Sequence, residues 1–99
     1  MNYLVENGIS KETVEGIKKT YSENTLDSLE FNEENVIKVI DFLKESGITI
    51  DNIEKIFFIN INVFFKSVDD LKNNFNKYEK DKLAVVLNDN IDLINDLLV

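Results

Sequence analysis

The sequence contains no cysteine, proline, histidine, tryptophan or arginine, and only three glycines. Each absence closes off a class of chemistry. Without histidine there is no imidazole base, and without cysteine there is no thiolate nucleophile, disulfide or thiolate metal site. Glycines at 8, 16 and 47 are too scattered to form a loop that wraps a phosphate. Long apolar runs are also missing: the richest, Ile56 to Phe65, is broken by Asn60 and Asn62 and is too short to span a bilayer. Met1 to Glu6 has neither a basic start nor an extended apolar stretch, so no secretory signal is expected and the reading is a soluble, cytoplasmic chain. Abundant lysine, asparagine and isoleucine is the bias of AT-rich coding sequence, and a bacterial source is the expectation.

What is present suits one folded domain. The 99 residues are enough for a single core, and 43% hydrophobic content with seven phenylalanines supplies the material for it. Net charge is −8, from 19 acids against 11 lysines, so the surface as a whole repels a phosphate backbone. The charge is uneven. Residues 66–82 hold five lysines and four acids, for +1, and are the one stretch suited to face an anion. The carboxylate pairs Glu33-Glu34 and Asp69-Asp70 stand at predicted helix starts, where the helix dipole favours them, and read as structural rather than acid–base groups. Asn88, Asn90 and Asp92 have the spacing of the first ligands of a calcium loop, but Leu93 stands where that loop requires glycine. No catalytic, cofactor or metal site is expected, and the chain is read as a non-enzyme.

Aligning the chain with itself gives its clearest pattern. Residues 3–17, YLVENGISKETVEGI, lie over residues 42–56, FLKESGITIDNIEKI, with six of fifteen pairs identical. Gly8 and Gly47 suit the left-handed position that closes a helix in a Schellman turn, with Ile9 and Ile48 packing back on Leu4 and Leu43. Ser10 and Thr49 follow as N-caps, and each isoleucine also staples to Val14 or Ile53 in the next helix.

The remaining helices follow from caps and spacing. Asn32 reads as an N-cap, with Phe31 and Val36 as its staple, opening a long helix to Ser46. Leu26 and Leu29 suggest a short helix within 22–30, and Ile50, Ile53, Ile56 and Phe57 mark another. Residues 59–64 alternate like a strand, but no partner strand is evident, so a helix end followed by a short helical turn is preferred. Ser67 caps a helix whose stripe is Leu71, Phe75 and Tyr78; Leu83, Val86 and Leu87 mark the next; Ile91, Ile94, Leu97 and Leu98 mark the last. Asn90-Ile91 reads as a degenerate copy of the Gly-Ile turn, with asparagine taking the left-handed conformation. The expected fold is all-α: a small right-handed, α-solenoid-like stack of helical hairpins, about six or seven helices. Its units are about 3–41 and 42–82, with a partial unit 83–99.

The stretch from Phe42 to Phe75 resembles the repeat of the mitochondrial transcription termination factor family. The matching residues are Leu43, Gly47, Ile53, Ile56, Phe64, Phe65, Ser67 and Leu71, while the proline typical of that repeat, near Ile61 and Asn62, is absent. The resemblance implies a superhelical stack of helices. No nucleic-acid-binding residue is carried over from it, since that family binds through a basic surface built over many repeats.

For function, the sequence reading is a non-catalytic protein–protein interaction role, with another protein or a second copy of the chain as partner and no membrane or small-molecule substrate. The alternative is a nucleic-acid-associated protein using the Lys66–Lys82 segment, disfavoured by the net charge. Candidate partner-binding residues are Phe58, because Ile56, Phe57 and Phe58 cannot all turn to one side of a helix, and Lys72, Lys77, Lys80 and Lys82. The short first helix and the apolar end Leu97-Leu98-Val99 leave stack ends that need covering. Because Ile48 is expected to pin two helices at one corner, Ile48→Ala should lower unfolding free energy by about 2–5 kcal/mol, read from the urea midpoint at unchanged m-value.

Overall fold

Short local signals start the helices. Ser10, Thr49 and Ser67 sit in extended backbone, and their hydroxyls accept hydrogen bonds from the amides of Thr13, Asn52 and Asp70 at 3.1, 3.3 and 3.1 Å. Each thereby satisfies one of the amides that a helix start leaves without a partner. The computed structural model describes residues 1–97, in which eight α-helical segments form. These are α1 (Asn2–Glu6), α2 (Lys11–Thr20), α3 (Glu23–Phe31), α4 (Glu33–Glu45), α5 (Ile50–Ile59), α6 (Val68–Phe75), α7 (Lys80–Asp89) and α8 (Ile94–Leu97). Single 3₁₀ turns, Ile61–Phe65 and Ile91–Leu93, precede α6 and α8. The all-helical stack is as expected. The eight helices compare with about six or seven expected; the first and last, both foreseen, are α1 and α8, of five and four residues. Leu98 and Val99, assigned above to the last helix and to an uncovered stack end, lie outside the described residues.

The two glycine corners form as the repeat predicts. Gly8 and Gly47 have φ of 100° and 93°, and among the described residues they alone take positive φ. At the second corner the Ile48 amide donates to Leu43 O at 3.1 Å and the Gly47 amide to Lys44 O at 3.0 Å. At the first, the Ile9 amide reaches Leu4 O at 3.0 Å and the Gly8 amide reaches Val5 O at 3.1 Å. These are the paired bonds of a Schellman turn. Both isoleucines are buried.

Each corner is then seated on the layer that follows it. A Cβ on Gly8 would lie 3.4 Å from Lys44 Nζ and 3.5 Å from Ile50 Cδ1, and one on Gly47 would lie 3.0 Å from the Ala84 Cβ. At the first corner, the Ser10 amide donates to Glu54 Oε2 at 2.7 Å and Lys44 Nζ to Asn7 O at 2.6 Å. At the second, Asn88 takes the equivalent place. Its Oδ1 accepts from the Thr49 amide at 3.1 Å and from Asn52 Nδ2 at 3.0 Å, while its Nδ2 donates to Gly47 O at 2.9 Å. The core runs between these layers, from Leu4 and Ile17 through Leu43, Ile53 and Phe57 to Leu71, Leu87 and Ile94. The Phe57 and Phe64 rings stack at 3.8 Å, which places the 3₁₀ turn of residues 61–65 in the core as a helical turn and not a strand.

Three sequence expectations are corrected. Asn32 closes α3 and opens α4 without a side-chain cap; its Nδ2 donates back to Ser28 O at 2.8 Å, and Phe31 is turned to solvent, so there is no Phe31–Val36 staple. Helix α6 stops at Phe75, so Tyr78 lies beyond it and is exposed. Asn90 is extended, at φ −146° and ψ 88°, and not left-handed. Its nearest likeness is Asn60, at φ −159° and ψ 87°, which likewise ends a helix and opens a 3₁₀ turn. An asparagine followed by a β-branched residue serves here as an extended hinge, and the left-handed option is left to glycine.

Gly47→Ala should therefore cost about 1–2 kcal/mol for the left-handed backbone, and more if α7 must retreat from the new methyl. Asn88→Ala takes the side-chain partner from the Thr49 amide and the Gly47 carbonyl and leaves Asn52 Nδ2 only the backbone carbonyl of residue 88, and should cost about 1–3 kcal/mol. Combining the two should cost less than the sum of the singles in a double-mutant cycle, because both act on one corner.

Candidate functional site

Helix α7 carries five consecutive apolar residues, Leu83 to Leu87, and one helix cannot bury them all on one side. Leu87 enters the core and Ala84 sits on Gly47, which leaves Val85 and Val86 in water. Val86 is 48% exposed, and Tyr78, held in the turn before α7, is 52% exposed. Between α7, this turn and the C-terminal helix runs a groove of about 490 Å³, walled by Tyr78, Leu83, Val86, Leu93 and Leu97. A second hollow of about 270 Å³ opens on the other side of Tyr78 and Leu83. It is floored by Phe42 and Phe75, whose rings meet edge to face at 5.1 Å.

The four lysines named from sequence collect around these two hollows. Lys72 and Lys80 border the smaller, and Lys77 and Lys82 border the larger. Their acidic neighbours are Glu45, Glu79 and Asp96, and Lys82 pairs with Glu79 across one helical turn at 3.2 Å. That exposed pair contributes little stability. The surface is an apolar trough with a slightly positive rim on a chain that is otherwise strongly acidic. Phe58 does not join it. It is 45% exposed on α5, where its ring lies over Gly16 and lines a polar hollow beside Asn88 and Asn90. Sequence reasoning missed Tyr78 and Val86 as surface residues. For Val86 the signal was available in the run Leu83 to Leu87, by the same argument that singled out Phe58.

The displaced titrations all belong to structural hydrogen bonds. Burial raises the Tyr3 hydroxyl well above the ordinary phenol range, reinforced by the Glu30 and Glu33 carboxylates, and that hydroxyl donates to Leu29 O at 2.7 Å. Burial also raises Tyr21, whose hydroxyl bonds to Phe57 O. Glu54 is partly buried, which acts to raise it, but hydrogen bonds from Ser10 and Thr13 outweigh burial and hold it below its usual value. None of these groups borders the trough. Among the described residues, no three acidic side chains converge as metal ligands, and no helix is long and apolar enough to cross a membrane.

No protein-family model, curated protein or solved structure matches this chain. The likeness to transcription termination factor repeats rests on the residues quoted above.

If Tyr78 and Val86 are surface groups, removing them should not disturb folding. Tyr78→Ser with Val86→Ser is expected to change unfolding free energy by no more than about 0.5 kcal/mol at each site, whereas Leu87→Ala should cost about 2–5 kcal/mol. Urea unfolding of the two variants distinguishes trough from core.

Proposed function

We propose that this chain is a non-catalytic interaction module whose Tyr78–Val86 trough receives an apolar, acidic segment of a protein partner. The observation that carries this reading is the position of the lysines. Lys72, Lys77, Lys80 and Lys82 surround exposed apolar surface, and they do not line up as a continuous basic strip. Apolar walls supply contact area, and a local cationic rim favours an acidic partner and orients it. A helical or extended peptide with apolar residues three and four apart fits a trough between two helices. The absence of histidine and cysteine from the sequence supports a role in recognition over one in catalysis.

The alternative, nucleic-acid association, draws on the same lysines. Phosphate contacts would give an affinity that falls steeply with salt, while an apolar trough would give one that falls little. The deciding measurement is a titration of the isotopically labelled chain with a synthetic acidic amphipathic peptide and, separately, with duplex and single-stranded DNA at low salt. Amide shifts should centre on residues 77–87 with the peptide, with a dissociation constant on the order of 1–100 µM. Silence of those amides toward the peptide, or tight salt-sensitive binding of DNA, would overturn the proposal.

A further inference from the structure

Phe31 is the most exposed large apolar residue on the described surface, at 91%. Its exposure is built in. The backbone on its N-terminal side is held by the Tyr3 hydroxyl on Leu29 O at 2.7 Å, and on its C-terminal side Asn32 bonds to Ser28 O through both amide and side chain, at 3.0 and 2.8 Å. One turn further on, Asn35 Nδ2 reaches Phe64 O and Lys66 O at 3.0 and 2.9 Å and fixes the start of α4 to the core. The backbone that carries the ring is therefore held at the α3–α4 junction, and the ring projects from it as a knob. Around it stand Glu30, Glu33, Glu34 and Lys38, with Glu30 paired to the Met1 amine. Glu33 and Glu34 occupy the first turn of α4 and give the knob a net negative collar.

The surface around the trough has complementary features: exposed apolar walls and, over its two hollows together, four lysines against the three acids Glu45, Glu79 and Asp96. The two surfaces stand at opposite ends of α4, with Phe31 just before its first residue and Phe42, Glu45 and Ser46 bordering the smaller hollow at its last turn. Thirteen residues of helix are about 20 Å long, so the knob of one molecule cannot enter its own trough. From this geometry we infer that a second copy of the chain is an occupant of the trough, with Phe31 seated against Tyr78 and Val86, and Glu33 and Glu34 facing Lys77 and Lys80. The contact is head to tail, because knob and trough are different surfaces, so each added copy presents a new trough or knob and the chain assembles beyond a dimer into a ring or filament. This inference rests on the trough being a docking surface, as proposed above. It adds the identity of one occupant.

Sedimentation velocity on the full chain, from micromolar to millimolar and at low salt, tests it with two variants that leave the core intact. One is Phe31→Ser; the other is Tyr78→Ser with Val86→Ser. Wild type should pass beyond two copies as concentration rises, and each variant should weaken association at least about tenfold, the effect of withdrawing one buried aromatic ring. An equal mixture of the two variants retains one intact knob and one intact trough, and should form a 1:1 dimer that grows no further. A wild type that stays monomeric, a mixture that stays monomeric, or a Phe31→Ser chain that assembles like wild type would each refute the inference. Peptide binding keeps the two readings apart: a wild-type chain that binds the peptide but stays monomeric removes only the second copy, whereas loss of peptide binding by the Phe31→Ser monomer removes the trough itself.

Discussion

The left-handed backbone at Gly47 is the constraint on which most of the molecule hangs. A helix leaves its last carbonyls without partners, and here the amides of Gly47 and Ile48 turn back to satisfy those of Lys44 and Leu43. The same reversal drives Ile48 into the core and places Thr49 where it can cap α5. Because the corner carries no Cβ, α7 approaches until Ala84 would lie 3.0 Å from one. At that distance Asn88 reaches the Gly47 carbonyl, the Thr49 amide and the Asn52 side chain together. Helix α7 owes its seat to that glycine, and the trough beside α7 owes its shape to the same seat.

How much of this was legible in the sequence depended on the range of the interaction. The glycine corners and the caps at Ser10, Thr49 and Ser67 are closed by bonds within six residues, so the identities of a few neighbours determine them. Asparagine was ambiguous, because it tolerates left-handed backbone and also fits extended hinges; Asn32 and Asn90 took other conformations than expected. The end of α6 was hidden for a related reason. A chain without proline and with three glycines carries little punctuation, and the helical spacing of Leu71 and Phe75 continues formally to Tyr78. The helix closes at Asn76, and the Tyr78 amide turns back to Phe75 O at 3.1 Å. The trough was less legible again, since it lies between Phe42, Leu83 and Leu97, which no local pattern connects. The lysines were found because charge is read directly from composition, but their apolar centre was not.

The layers also explain where unsatisfied surface had to remain. The first corner is covered by Lys44, Ile50 and Glu54 of the second layer, and the second by Ala84 and Asn88 of α7. In each case the amide of the capping residue, Ser10 or Thr49, is accepted by a side chain of the layer above. Among the described residues the glycine corner is not repeated a third time: helix α7 ends in the extended Asn90 and a 3₁₀ turn. An amphipathic helix carries polar groups on its outer face or leaves apolar ones there in water. Helix α7 does some of each, with Lys80, Asp81 and Lys82 in its first turn and Val85 and Val86 in its second.

That mixture bears on function more than any single residue does. In a chain without imidazole, thiol or a glycine-rich loop, the shape and charge of the surface are the features that stand out. Acids dominate most of that surface, so the lysines that gather at the last layer invert the local sign where apolar groups meet water. Electrostatic inversion of this kind adds little affinity by itself, because exposed charges are screened, but it biases which partners approach and in which orientation. The apolar walls then supply the area that holds what arrives. At the far end of α4 the arrangement is reversed, with one exposed aromatic ring inside a collar of acids. An exposed ring among acids and an apolar trough among lysines are separated by the thirteen residues of α4, about 20 Å, which is too great a distance to be closed within one molecule.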